Sequence, residues 1–230
     1  MSPGPAAAGA GRGGAADAAA AGSSGGAAGV RANFFAAAHV FVETVAGISG
    51  GEWDRPGLGE WSVRDLVGHA SRALSTVEAY LAVPADVVTI RRPGDYYQAL
   101  EAARIDHGAV AERGRAAGAA LGEHPAAVVR ALGDRVLTLV ARSPDGATLT
   151  VAGGKGATLS AYLPTRTFEL TVHTLDLLGA LGRNPPGELA APVAACLELV
   201  GQLAGGRPGA STVLLALTGR RPLPAGFSVI

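Results

Sequence analysis

The sequence predicts an all-α protein: a four-helix bundle of antiparallel helices with one long crossover. Three observations carry this. From Val30 onward, apolar residues recur mostly at three- and four-residue steps, the period of a helix buried on one face. Helix start and stop signals punctuate the chain, among them Ser62, Pro84, Pro125 and Gly182. Strand-like texture is confined to a short stretch near residues 147–161.

Taken in order, residues 1–29 are almost entirely Ala, Gly, Ser and Pro, with Arg12 and Asp17 as the charges. Such residues bury too little to offset ordering entropy, so a disordered tail is expected there, and residues 30–230 are expected to form one domain. Phe34, Phe35, Ala38, Phe41, Val42 and Val45 mark a first amphipathic helix, followed by a glycine-rich loop over 47–59. Ser62 is placed to cap the next helix, with Asp65 at the third helical position and Trp61 where a hydrophobic staple sits. That helix carries Leu66, Val67, Ala70, Leu74, Val77 and Leu81 inward, with His69 on the same face, and ends at Pro84.

Residues 86–93 read as a connector and 96–121 as one long helical stretch. Pro125 opens a helix that ends near Arg142. The turn signal Pro144-Asp145-Gly146 and the run Gly153-Gly154-Lys155-Gly156 suggest a short β-hairpin over 147–161. Leu163–Leu181 is the clearest helix of the chain, with Gly182 as its stop, and a last helix spans 188–204. The apolar residues beyond, including Leu214–Leu217, are expected to pack as a small appendage.

Composition excludes some classes. The chain has 230 residues, with Lys plus Arg equal to Asp plus Glu at 19 each, so it lacks the basic excess of a nucleic-acid binder. The single cysteine, Cys196, rules out an internal disulfide and fits the cytoplasm. No strongly apolar run of membrane-spanning length stands out, so no membrane partner is expected. A monomer or homodimer fits these properties.

Chemistry concentrates in two places. Glu169 and His173 lie four residues apart on the clearest helix, which stacks them on one face. A facing helix can bring His69 to complete two histidines and one carboxylate, a common set for a catalytic Zn²⁺ (or another divalent metal) with an open position. Asp176 is spaced to accept from the His173 ring, and Arg166 continues the polar stripe. The bland alternative is that the stripe faces water. His39, His107 and His124 read as structural or exposed, Cys196 as a buried small hydrophobe. The Gly153–Gly156 run lacks the ending of a phosphate loop.

These residues also carry a resemblance. Trp61-Ser62-Val63-Arg64-Asp65-Leu66-Val67-Gly68-His69 resembles the start of the second helix in the mycothiol-dependent maleylpyruvate isomerase family, part of the DinB-like metal-binding superfamily. Arg166–Leu181, with Glu169, His173, Asp176 and Ala180-Leu181-Gly182, resembles that family's second metal motif. Leu217-Thr218-Gly219-Arg220-Arg221-Pro222-Leu223-Pro224 resembles the close of its shorter members, and the likeness spans about residues 30–230. The resemblance implies a DinB-like bundle binding a divalent metal, usually zinc, through the residues matching His69, Glu169 and His173. It implies a thiol-using enzyme: the family's reaction isomerises maleylpyruvate to fumarylpyruvate with mycothiol, and relatives transfer low-molecular-weight thiols to electrophiles. A sizeable separate C-terminal domain, which some members carry, is not expected here.

The expected function is therefore a metal-dependent isomerase or S-transferase acting on a small electrophile with a low-molecular-weight thiol. Glu169 is the candidate for proton transfer as well as ligation. Arg166 is the candidate contact for an acidic substrate or the thiol cofactor, with Arg91 and Arg92 as weaker ones. The rival reading is a non-catalytic metal- or ligand-binding bundle.

Overall fold

The computed structural model describes residues 26–102 and 107–229. The expected tail falls mostly outside these residues. The first helix, α1 (Ala27–Ala46), starts three residues earlier than its apolar pattern suggests, because Ala27, Ala28 and Gly29 extend it without contributing to the core.

The bundle is made of α1, α2 (Val63–Leu81), α5 (Pro125–Arg142) and α6 (Leu159–Leu181). Contacts run α1 to α6, α6 to α2, α2 to α5 and α5 to α1, which closes a four-helix ring. Phe34, Phe41, Leu66, Leu74, Val136, Leu163, Leu170 and Leu177 fill its interior and are essentially inaccessible. The expected α2 cap is present in full. Ser62 Oγ accepts from the Asp65 N–H, and the Asp65 carboxylate accepts from the Ser62 N–H.

The long crossover occupies the chain between α2 and α5. It holds β1 (Val88–Ile90), α3 (Pro93–Ala102) and α4 (His107–Ala120); the stretch expected to be helical over 96–121 is helical through most of its described part, and residues 103–106 lie outside the described residues. α4 packs along α2 through glycines. A Cβ on Gly68 would lie 2.2 Å from the Gly118 backbone nitrogen, and one on Gly114 2.6 Å from the Trp61 ring. Only glycine permits this approach.

The expected hairpin is present as β2 (Thr148–Val151) and β3 (Lys155–Thr158), paired antiparallel. β1 adds in parallel on the other side of β3, giving the order β1-β3-β2. α6 starts at Leu159, four residues before Leu163, because Thr158 caps it by accepting from the Ala161 N–H; Pro164 therefore sits inside the helix. Its end is as expected. Gly182 is left-handed at φ +67° and donates to Gly179 O.

A short 3₁₀ turn (Gly187–Leu189) leads into α7 (Ala190–Gly205), which packs on α6 and α1. Together the 19 residues Gly187–Gly205 are long and apolar enough to cross a membrane by length and composition alone. Leu199 and Leu203 of this segment are buried in the main core. The expected appendage forms α8 (Ala210–Leu217) but packs little: Leu214 and Leu217 stay largely exposed.

Candidate metal centre

The site forms where α2 and α6 face each other. His69 stands one turn and a half into α2, on a helix held close to α4 by the Gly68–Gly118 contact. Trp61 stacks on its ring with centroids 4.6 Å apart and is itself fixed by an indole N–H donated to Ala111 O at 3.1 Å. Trp61 therefore does more than staple the helix start: it supports a candidate ligand.

On α6, Glu169 and His173 are stacked as their spacing requires. Among the described residues, one ligand atom each from His69, Glu169 and His173 lies within 4.8 Å of the other two. The two histidine rings meet edge-on at 4.8 Å between centroids. His173 Nε2 is 3.5 Å from Glu169 Oε2, while its Nδ1 is 3.1 Å from Asp176 Oδ2. Asp176 thus takes the place expected of it, holding one face of the imidazole and leaving the other for a ligand.

The electrostatics fit a cation. Burial, then the neighbouring His173, lowers the His69 pKa to about 4, so its ring is neutral near pH 7. Its Nδ1 is buried without a hydrogen-bond partner, an arrangement that costs free energy until something electrophilic meets it. Burial also opposes charge on His173, but hydrogen bonds to Asp176 and Glu169 outweigh it and raise the pKa to about 9. For Glu169, burial raises the pKa, and His173 and Arg166 overcome it and hold the carboxyl ionised. Without a metal, a proton on His173 supplies the positive charge this carboxylate requires. A divalent ion would replace that proton and take one ring nitrogen of the neutral His69.

Arg166 lies three residues before Glu169 and is 7% exposed. Its guanidinium sits over the Tyr162 ring at 4.8 Å and the Tyr96 ring at 5.2 Å. Nε donates to Thr165 Oγ1, and among the described residues no carboxylate forms an ion pair with it. Glu169 acts on this charge through space without bonding it, so the guanidinium keeps donors free for an anion. Tyr96 packs edge-on to Tyr97, and Tyr80 packs on Tyr162, so all four tyrosines of the chain gather around this cation. The Tyr97 hydroxyl is buried without a partner, and burial, then Glu169, pushes its pKa up, keeping it a donor. The sequence reading missed this cluster. Its one signal is that a chain with only four tyrosines sets two side by side in a crossover helix.

The polar stripe of α6 is thus buried at Arg166 and half-buried at Glu169, His173 and Asp176, turned towards α2 rather than out into water. His39 and His124 are exposed, and the His107 side chain lies outside what is described. Cys196 is buried on α7, which pushes its thiol up. Arg91 and Arg92 are exposed, and Arg92 pairs with Asp95 at 3.3 Å. The Gly153–Gly154 run is the turn of the hairpin.

Comparison with curated proteins finds no match, and comparison with solved structures finds none. A family profile does match: the mycothiol maleylpyruvate isomerase N-terminal domain, over residues 34–178. The matched range holds His69, Glu169 and His173 together with the four bundle helices, ending within the last turn of α6. On this match over more than half its length, the chain belongs to the mycothiol maleylpyruvate isomerase N-terminal domain family.

Proposed function

We propose that this chain is a divalent-metal-dependent, thiol-using enzyme of the cytoplasm, of the mycothiol-dependent isomerase or S-transferase type, with zinc as the metal. The observation that carries this is the convergence of His69, Glu169 and His173 within 4.8 Å, with one imidazole oriented by Asp176 and the other left with an orphaned nitrogen. Two histidines and a carboxylate suit zinc.

Zinc held by three protein ligands keeps one position open and makes a thiol placed there far more acidic. The chain's residues do the rest. His69, Glu169 and His173 would hold the ion, and Asp176 fixes the His173 ring. Glu169 has two oxygens, so it can ligate with one and accept the thiol proton on the other. Arg166 receives an anionic group of the substrate or of the thiol cofactor, and the Tyr97 hydroxyl stands ready as a donor. The thiol sulfur then bonds to an activated double bond. The former double bond turns as a single bond, and loss of the sulfur restores the alkene. In a transfer, a leaving group departs instead.

Elemental analysis of the purified protein with turnover of mycothiol and maleylpyruvate, or another electrophile, tests this. About one zinc per chain is expected, lost in His69→Ala and His173→Ala. Turnover should fall on chelation, return with zinc, and survive Cys196→Ser, because the nucleophile is the small thiol. Metal retained without turnover of any thiol would establish the rival reading, a non-catalytic metal-binding bundle. Metal content unchanged in both histidine variants would remove the site altogether.

A further inference from the structure

An α-helix turns about 100° per residue, which sets Ser160, Pro164 and Thr167 on the side of α6 opposite Glu169 and His173. There the chain surrounds a cavity of about 430 Å³ whose lining includes none of the candidate metal ligands. That volume falls within the usual size of small-molecule pockets, about 300–1,000 Å³.

Three helices start at its walls. Ala27 opens α1, Pro93 opens α3, and Ser160 and Ala161 belong to the first turn of α6. At the start of α3 the Asp95 carboxylate accepts from the Arg91 and Arg92 N–H groups, and Thr158 caps α6, whereas α1 has neither a side-chain cap nor an acidic residue in its first turn. Arg91 also lines the cavity, and its guanidinium meets no acceptor among the described residues. A second observation is independent of the helix ends. Asn33, on α1, is 8% exposed, lines the cavity, and its amide makes no hydrogen bond among the described residues. An amide without a partner at the wall of a cavity is available to a ligand. Ala161, Pro164 and Leu199 supply apolar wall.

We infer that this cavity is a second binding site, separate from the metal centre, for a small organic acid: its carboxylate lies at the helix starts beside Arg91, Asn33 hydrogen-bonds it, and its apolar body rests on Pro164 and Leu199. Glu198 of α7 also lines the cavity and has a partner of its own.

The test uses octanoate as the probe on the full chain, titrated by calorimetry. Saturable binding is expected. Arg91→Gln, a change at an exposed side chain, should weaken it about tenfold, the effect of losing one charge-assisted contact. Ala195→Trp, which fills the cavity from a partly exposed position of α7, should abolish it. Cys196 lines the same space, so octanoate should slow its alkylation by N-ethylmaleimide several-fold. Stripping the metal, or His69→Ala, should change none of this, so the result stands apart from the thiol chemistry proposed above. No binding, equal binding by both variants, or loss of binding with His69→Ala would each overturn the proposal.

Discussion

His69 on α2 and His173 on α6 meet edge-on at 4.8 Å, yet they are held by different means. The α2 side is positioned by shape. Two glycines bring α4 against the helix, Trp61 lies against the imidazole, and the ring itself has a nitrogen with no hydrogen bond. The α6 side is positioned by charge, with Asp176 and Glu169 on opposite nitrogens of His173. The consequence is a site with one neutral and one protonated histidine before any metal enters. One half of the centre should therefore respond to changes of volume, the other to changes of charge.

The largest effect is expected on the side set by shape. In Gly68→Ala the new methyl would meet backbone, 2.2 Å from Gly118 N, with no flexible side chain to give way. Overpacking of this kind costs about 3 kcal/mol or more. Thermal or denaturant melts should show it, and metal affinity should fall as α2 shifts. Gly179→Ala on α6 has open space around it and should hold or raise stability, alanine being the better helix former. Equal melting of Gly68→Ala and the parent would end the packing account of His69.

On the side set by charge, Asp176→Asn should leave the fold intact and weaken metal binding about 10- to 100-fold, the usual effect of losing the carboxylate behind a ligating imidazole. Competition against a chromophoric chelator reads this directly. Trp61→Leu should weaken binding less, about three- to tenfold, since a ring-on-ring contact contributes about 0.5–1.5 kcal/mol. If Trp61→Leu proves the more damaging of the two, the division between the halves is drawn in the wrong place.

The same division explains what the sequence disclosed. Glu169, His173 and Asp176 were legible because a single helix relates them, and α2 because its cap is local: Ser62 and Asp65 meet three residues apart. The bundle and its long crossover followed from the same periodicity. The supports of His69 and Arg166 come from elsewhere in the chain. Trp61 reaches Ala111, Gly68 meets Gly118, and Tyr80, Tyr96, Tyr97 and Tyr162 gather from three helices. The parallel pairing of β1 with β3 is equally non-local. The expected start of α6 at Leu163 falls four residues late because the Thr158 cap that starts it at Leu159 depends on how the hairpin delivers the chain.

The pH response of the metal-free protein carries opposite signs for the two histidines. His173 has its pKa raised from 6.5 to about 9. Its charge stabilises the fold fully below pH 6.5, and that contribution is lost as pH rises through about 9. His69 has its pKa lowered from 6.5 to about 4. Its contribution is present above pH 6.5 and is lost as pH falls towards 4. Chelator-treated protein should therefore melt highest, as far as these two groups decide it, near pH 6.5. His173→Gln should flatten the alkaline limb and His69→Gln the acid limb. Metal binding separates them again. The ion must displace the proton of His173 and none from His69, so affinity should climb about tenfold per pH unit between 7 and 9 and then level off. An affinity flat across that range would mean that His173 is already neutral in the metal-free protein, and that hydrogen bonding to Asp176 orients the ring without charging it.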